Sequence, residues 1–164
     1  MSKRFILIGS LALGVSMSSK ALTPQEFFSR LNKNTMPLVN EFYAMDAHFQ
    51  DPTVDLMGAD RIRAHYAHQY EGLEFIKWDF GHESIDGERH VLPWKMTLKH
   101  PGLNGGEEYA VDGISVIDMR AGKAFYHRDY FDMGAFVYER IPVMRTLVKF
   151  LKGRMTDPKN ASEK

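Results

Sequence analysis

Hydrophobic positions recur at helical spacing in the first part of the chain and then switch to strict alternation. Thr23-Pro24-Gln25-Glu26 is a helix start: Thr23 can cap, Pro24 suits the first turn, and Glu26 can close a capping box back to Thr23. Phe27, Phe28 and Leu31 then fall on one stripe. Asn34-Thr35 breaks the pattern, Pro37 fits a new first turn, and Leu38, Val39, Phe42 and Tyr43 resume it. This predicts a helix of two segments ending near Tyr43. His48 to Gln50 reads as a short extended piece, stopped by Asp51-Pro52 because a residue before proline avoids the helical region. Gly58-Ala59-Asp60 opens another helix, with Ile62, Tyr66 and Tyr70 as its buried stripe.

After Gly72 the period becomes two. Ile76, Trp78 and Phe80 alternate with Lys77 and Asp79, and Asp86-Gly87 is a hairpin signal. The clearest strand follows, with Leu92, Trp94, Met96 and Leu98 on one face and Lys95, Thr97 and Lys99 on the other. Pro93 inside it has no amide donor, which predicts a bulge or an edge. Further strands are predicted from Glu108 to Met119 and from Lys123 to Phe131, separated by a turn at Arg120-Ala121-Gly122. A short helix, Ala135 to Arg140, comes next. Then Pro142 opens an amphipathic helix with Val143, Met144, Leu147, Val148 and Leu151 on one side and Arg145, Lys149 and Lys152 on the other. Its apolar side is expected to pack on the domain. Helices first, then a meander of four long strands, predict an α+β fold: a curved antiparallel sheet wrapped around the N-terminal helices and enclosing a pocket.

Composition narrows the function. The 164 residues fit one domain that buries roughly 70% of its unfolded surface. Lys plus Arg equals Asp plus Glu, 21 each, so no basic footprint for nucleic acid exists. Without cysteine there is no disulfide, thiolate nucleophile or thiolate metal site. The first 21 residues differ in kind. Lys3 and Arg4 precede an apolar run from Phe5 to Val15, too short to span a membrane, and Ser19-Lys20-Ala21 fits a small-x-small cleavage site. This layout predicts a secretory signal and export to the periplasm or beyond. The competing reading starts translation at Met17 and leaves the protein in the cytoplasm. Residues 156–164 are polar, which predicts a flexible tail. No membrane partner is expected apart from the leader.

The segment from Trp94 onward carries a family resemblance. Trp94-Lys95-Met96, the His100-Pro101-Gly102-Leu103-Asn104-Gly105-Gly106 turn, Val111-Asp112-Gly113-Ile114-Ser115 and above all His127-Arg128-Asp129-Tyr130-Phe131-Asp132-Met133-Gly134 are similar to the SnoaL-like branch of the nuclear-transport-factor-2-like superfamily. Tyr138-Glu139-Arg140-Ile141-Pro142 and Phe49-Gln50-Asp51-Pro52 extend the resemblance to residues 24–154, within a domain placed at 22–155. It implies a cone-shaped, cystatin-like α+β fold with a cavity, and commonly a homodimer through the outer sheet face. It does not imply one reaction, because this fold hosts isomerases, cyclases, dehydratases, hydrolases and non-catalytic binders.

Asp129 leads the candidates for chemistry. His127, Asp129 and Phe131 alternate onto one face of the last strand. A carboxylate among Trp, Met and Phe side chains loses hydration, which poises it for proton transfer. The resemblance to limonene epoxide hydrolase points to the same aspartate as a pocket acid. However, the Arg-x-Asp pair that works beside it there is replaced here by Trp94 and Met96, which argues against epoxide hydrolysis. A structural Asp129, bonded to Arg128 or a turn, is the competing reading. His127 could relay a proton or pack as a core histidine. Asp112 resembles the oxyanion-hole acid of ketosteroid isomerase, yet it alternates with Tyr109, Val111 and Gly113 and so competes with them for the inner face. Trp94, Met96, Leu98 and Phe131 are the expected pocket walls, with Tyr43 and Asp51 as weaker ligand contacts. His65 and His68 are three apart on a helix without a third ligand, and Gly105-Gly106 has no phosphate-loop context, so neither a metal nor another cofactor is expected. Three functions stay open: an acid–base isomerase, cyclase or dehydratase on a small hydrophobic substrate, a non-catalytic carrier of a hydrophobic ligand, and a purely structural dimerisation module.

Overall fold

The computed structural model describes residues 21–155. The predicted leader with its cleavage site up to Lys20 and the predicted tail at 156–164 lie outside the described residues. Helix α1 (Pro24–Arg30) begins with the reciprocal Thr23–Glu26 capping box, and α2 (Leu38–Phe42) follows. Phe27 stacks on Phe42 with ring centroids 4.2 Å apart, which ties the two segments together. Strand β1 (Tyr43–Gln50) takes over at once, longer than the sequence pattern suggests, because Met45 and Asp46 bow out where its pairing shifts register. Strand β2 (Asp55–Met57) turns back on it, and α3 (Ala59–Glu71) buries Ile62, Tyr66 and Tyr70 against the sheet.

The predicted meander is present as β3 (Phe75–Phe80), β5 (Arg89–Lys99), β6 (Tyr109–Arg120) and β7 (Lys123–Phe131), with a small β4 (Ser84–Asp86) added. The sheet order is β2-β1-β7-β6-β5-β3, with β4 also on β5. All pairs are antiparallel except β1 with β7, which brings the first strand beside the last. Pro93 makes no bulge in the β5–β6 ladder, where it sits opposite Ile114. Its missing donor faces the other edge of β5, where β3 ends at Phe80 and β4 has not begun. Only Gly81 bridges that gap, donating to the Pro93 carbonyl.

A second irregularity shapes the site. The β6–β7 register shifts between Asp118 and Met119, so that one extra residue, Phe125, sits on β7. The shift changes parity. Ala124 faces the core before it, and His127, Asp129 and Phe131 face inward after it. The adjoining turn has Ala121 and Gly122 at φ of 49° and 76°, the left-handed pair that a two-residue hairpin requires.

The chain ends in α4 (Met133–Phe136), a 3-10 turn at Tyr138–Arg140 and α5 (Pro142–Met155). Here the structure corrects an expectation. None of the residues of α5 is buried, so its apolar side does not pack on the domain. The helix rests mainly on the Tyr138–Arg140 turn, through Arg145 Nε donating to the Glu139 carbonyl and Lys152 pairing with the Glu139 carboxylate.

Candidate functional site

The concave face of the sheet and the C-terminal half of α3 enclose a cavity of about 510 Å³. Its walls are apolar, with Trp94, Met96 and Leu98 from β5, Phe131 from β7, Trp78 from β3 and Phe28 from α1. The indole of Trp94 lies flat across Gly113 on the neighbouring strand. A Cβ there would stand 2.3 Å from the ring, so only glycine leaves room. Phe136 closes part of the wall from α4.

Polar side chains break this surface in two groups: His68, Gln69, Glu71 and His100, and the more deeply set Asp51, Tyr66, Tyr70 and Asp129. Asp129 is 13% exposed and tightly held. Ser115 Oγ donates to its Oδ1 at 2.5 Å, and His127 Nε2 stands 2.8 Å from the same oxygen. Both bonds fall on Oδ1, so the lone pairs of Oδ2 are available to a ligand. Ser115 is fixed in turn by the Trp94 Nε1–H, which donates to its Oγ at 2.9 Å.

The hydrogen bonds behind His127 run in one direction. With a carboxylate at Asp129 and a neutral imidazole at His127, Nε2 donates and Nδ1 accepts. Tyr43 Oη, 2.5 Å from Nδ1, is then the donor, and Tyr66 Oη, 3.2 Å further, donates to Tyr43. Burial pushes both phenols well above the ordinary tyrosine range, so both remain neutral donors. The chain Tyr66–Tyr43–His127–Asp129 thus starts and ends on the cavity wall while its middle members are fully buried.

Three further buried polar atoms make no full hydrogen bond: the Tyr70 hydroxyl, the Trp78 indole N–H and His65 Nε2. The first two are neighbours in the wall, close enough for the indole N–H to act on the phenol. Burial raises the Tyr70 phenol, with the neighbouring Trp78 N–H acting the other way, so it too is a neutral donor. Unpaired donors in an apolar wall are costly unless a ligand oxygen meets them. Asp51 occupies a different corner. Its side chain is 4% exposed, its Oδ1 accepts from Thr53 N, Thr53 Oγ1 and Val54 N, and its Oδ2 lies 3.5 Å from His65 Nε2. Burial pushes this carboxyl up, but the nearby His65 imidazole and the bonds from Thr53 and Val54 outweigh it and hold the group below its ordinary range.

Of the residues singled out in the sequence, Trp94, Met96, Leu98, Phe131, Asp51 and Asp129 line the cavity, and His127 stands directly behind Asp129. Two placements differ from expectation. Asp112 is on the outer face of β6, 80% exposed and 3.7 Å from Lys95 across the strand pair, because Tyr109, Val111 and Ser115 take the inward parity. It has no route to the cavity. Tyr43 lies behind the wall rather than in it, and reaches the site only through His127. Ser115, Tyr66, Tyr70 and Trp78 were not anticipated as polar members of the site. Ser115 was within reach of strand parity, since it shares a face with Val111. The two tyrosines look like ordinary core positions on an amphipathic helix.

A curved α+β cone with a lined hollow defines a SnoaL-like, nuclear-transport-factor-2-like architecture. Residues 25–127 match the SnoaL-like domain model, and the chain belongs to that family. No curated protein matches it in sequence. Among solved structures, it resembles a protein from Shewanella denitrificans OS-217 described as a candidate SnoaL-like polyketide cyclase. The identity is 18%, with 67% of this chain and 88% of that one covered, at a TM-score of 0.59. A similarly described protein from Jannaschia sp. CCS1 shares 16% identity over 61% and 76% of the two chains, at a TM-score of 0.54. A protein with a ketosteroid isomerase-like fold from Catenulispora acidiphila DSM 44928, solved with trimethylamine, shares 15% identity over 69% and 84%, at a TM-score of 0.59. At these identities the likeness concerns the fold.

Proposed function

We propose that this protein is an acid–base enzyme acting on a small hydrophobic molecule that carries a carbonyl group, as an isomerase, cyclase or dehydratase. The observation that carries this reading is Asp129: a carboxylate anchored through one oxygen by Ser115 and His127, with the other oxygen offered to an apolar cavity. In the proposed step Oδ2 takes a proton from carbon next to the carbonyl. The electron pair moves onto the carbonyl oxygen, where the unpaired donors of Tyr70 and Trp78 suit the developing charge. Returning the proton to another carbon gives isomerisation; attack of the enolate carbon on a second carbonyl gives cyclisation. A general base of this kind contributes about 10²–10⁴-fold.

The test uses solvent deuterium. A panel of cyclic ketones and enones in D₂O should show protein-dependent exchange at the α-carbon, lost by at least a hundredfold in Asp129→Asn. Undiminished exchange in that variant removes Asp129 from the reaction. The apolar cavity itself also suits a carrier without turnover. That reading predicts a co-purifying ligand in native mass spectrometry and no exchange in any variant. A homodimer belongs to the proposal as well: Ile114 and Tyr130, paired across β6 and β7, expose an apolar strip on the outer sheet face. Sedimentation equilibrium of the protein and of Ile114→Lys tests it, and a monomeric parent protein rejects it.

A further inference from the structure

The most conspicuous unexplained surface is α5, which lies beyond residues 25–127 of the shared domain. Its sequence places Val143, Leu147, Phe150 and Leu151 on one side, and all four side chains are exposed, Leu147 and Leu151 at 51% each. Its charged residues are Arg145, Lys149, Lys152 and Arg154, and the helix contains no Asp or Glu. Glu139, on the preceding turn, answers one of them, Lys152. We propose that α5 is an in-plane anchor that lies on an anionic lipid surface, with its apolar side in the acyl boundary and its cations among the headgroups.

Three observations favour this occupant. A helix with exposed Leu and Phe on one side and only Lys and Arg as its charged residues is the pattern of an interfacial helix. At 14 residues it extends about 21 Å, too short to cross a bilayer and long enough to lie in one. Among the described residues, no helix is long and apolar enough to cross a membrane. A second copy of the chain is the poorer match, because a two-fold contact through the apolar sides would leave Arg145 and Lys149 on the other side with no acid from either helix, whereas an anionic surface answers both sides. The placement also bears on the cavity, since the chain runs from Phe136 in its wall through the Tyr138–Arg140 turn into α5.

The experiment is co-sedimentation of the full chain with vesicles of pure phosphatidylcholine and of phosphatidylcholine with 30% phosphatidylglycerol. The expected result is pelleting with the anionic vesicles and at least tenfold weaker binding to the neutral ones. Lys149→Glu should weaken anionic binding by well over fivefold, since one cation near such a surface is worth about fivefold and reversal exceeds neutralisation. Leu147→Glu with Leu151→Glu should abolish it. These positions are exposed, so circular dichroism should show an intact fold; Lys149→Glu alone decides the matter if the double variant misfolds. Residues 1–20 are present in every arm. Equal pelleting of the parent and the variants therefore overturns the proposal, as does equal binding to both vesicle types. Light scattering supplies the last arm: a drop in mass of the double variant in solution, with vesicle binding unchanged, assigns α5 to self-association and overturns it too.

Discussion

Ser115→Ala tests whether the site is a connected network or a set of separate contacts. The hydroxyl is fully buried and makes two bonds, accepting from Trp94 Nε1 at 2.9 Å and donating to Asp129 Oδ1 at 2.5 Å. Removing it strands the Trp94 N–H in a wall where Trp94 is only 5% exposed, at a cost of about 1–3 kcal/mol. It also takes a charge-assisted bond from the carboxylate, about 1.5–3 kcal/mol in its own right. The two costs share one atom, so the expected total is about 2–4 kcal/mol. For a domain of this size that lowers Tm by roughly 6–14 °C. Urea unfolding followed by tryptophan fluorescence measures it, and a double-mutant cycle with Trp94→Phe isolates the coupling. Trp94→Phe removes the stranded donor, so Ser115→Ala should cost at least ~1 kcal/mol less in that background. A loss below about 1 kcal/mol, or strict additivity in the cycle, refutes the network.

Gly113→Val should cost about 1–3 kcal/mol and shift Trp94 fluorescence, because the new side chain occupies the space of the indole; an unchanged spectrum would show that the ring has room to move. Asp51 is held below the ordinary carboxylate range, so its contribution is complete above about pH 4 and fades as pH falls through its lowered folded value. Asp51→Asn should therefore lose stability at pH 6 and converge on the parent protein in acid, as read by chemical denaturation at several pH values. Asp112→Asn should leave stability within about 0.5 kcal/mol and any α-carbon exchange unaltered, since the side chain faces solvent on the outer sheet; loss of exchange would contradict its placement. Asp118→Asn breaks a bidentate bond with the exposed Arg89 and should cost no more than about 1 kcal/mol by thermal melt.

Much of the fold was legible because local signals agreed with one another. The alternation on β5 puts Trp94, Met96 and Leu98 on the cavity wall and Leu92 on the same face in the core, since a strand buried on one face has little freedom in register. The Thr23 cap and the Ile62, Tyr66, Tyr70 stripe were equally plain. What stayed hidden depends on distant pairing. Nothing near Tyr43 announces that β1 lies parallel to β7, or that its hydroxyl meets a histidine 84 positions away. The Phe125 bulge is likewise invisible as a pattern, yet it sets the parity of His127 and Asp129 relative to Ala124. The misjudged side of α5 has a different cause. An amphipathic pattern states that one side avoids water but not which surface supplies the shelter.

The parallel pairing of β1 with β7 also orders events in time. Tyr43 belongs to an early strand and His127 to the last one, so a nascent chain that has emerged only as far as Arg120 holds the phenols and lacks both the histidine and the carboxylate. Contacts of such long sequence separation form late because the intervening loop must first be closed. C-terminal truncations upstream of Asp129 therefore present at most a hollow without that acid. On the proposed reading, proton transfer through Asp129 doubles as a certificate that β7 has been made and has met β1.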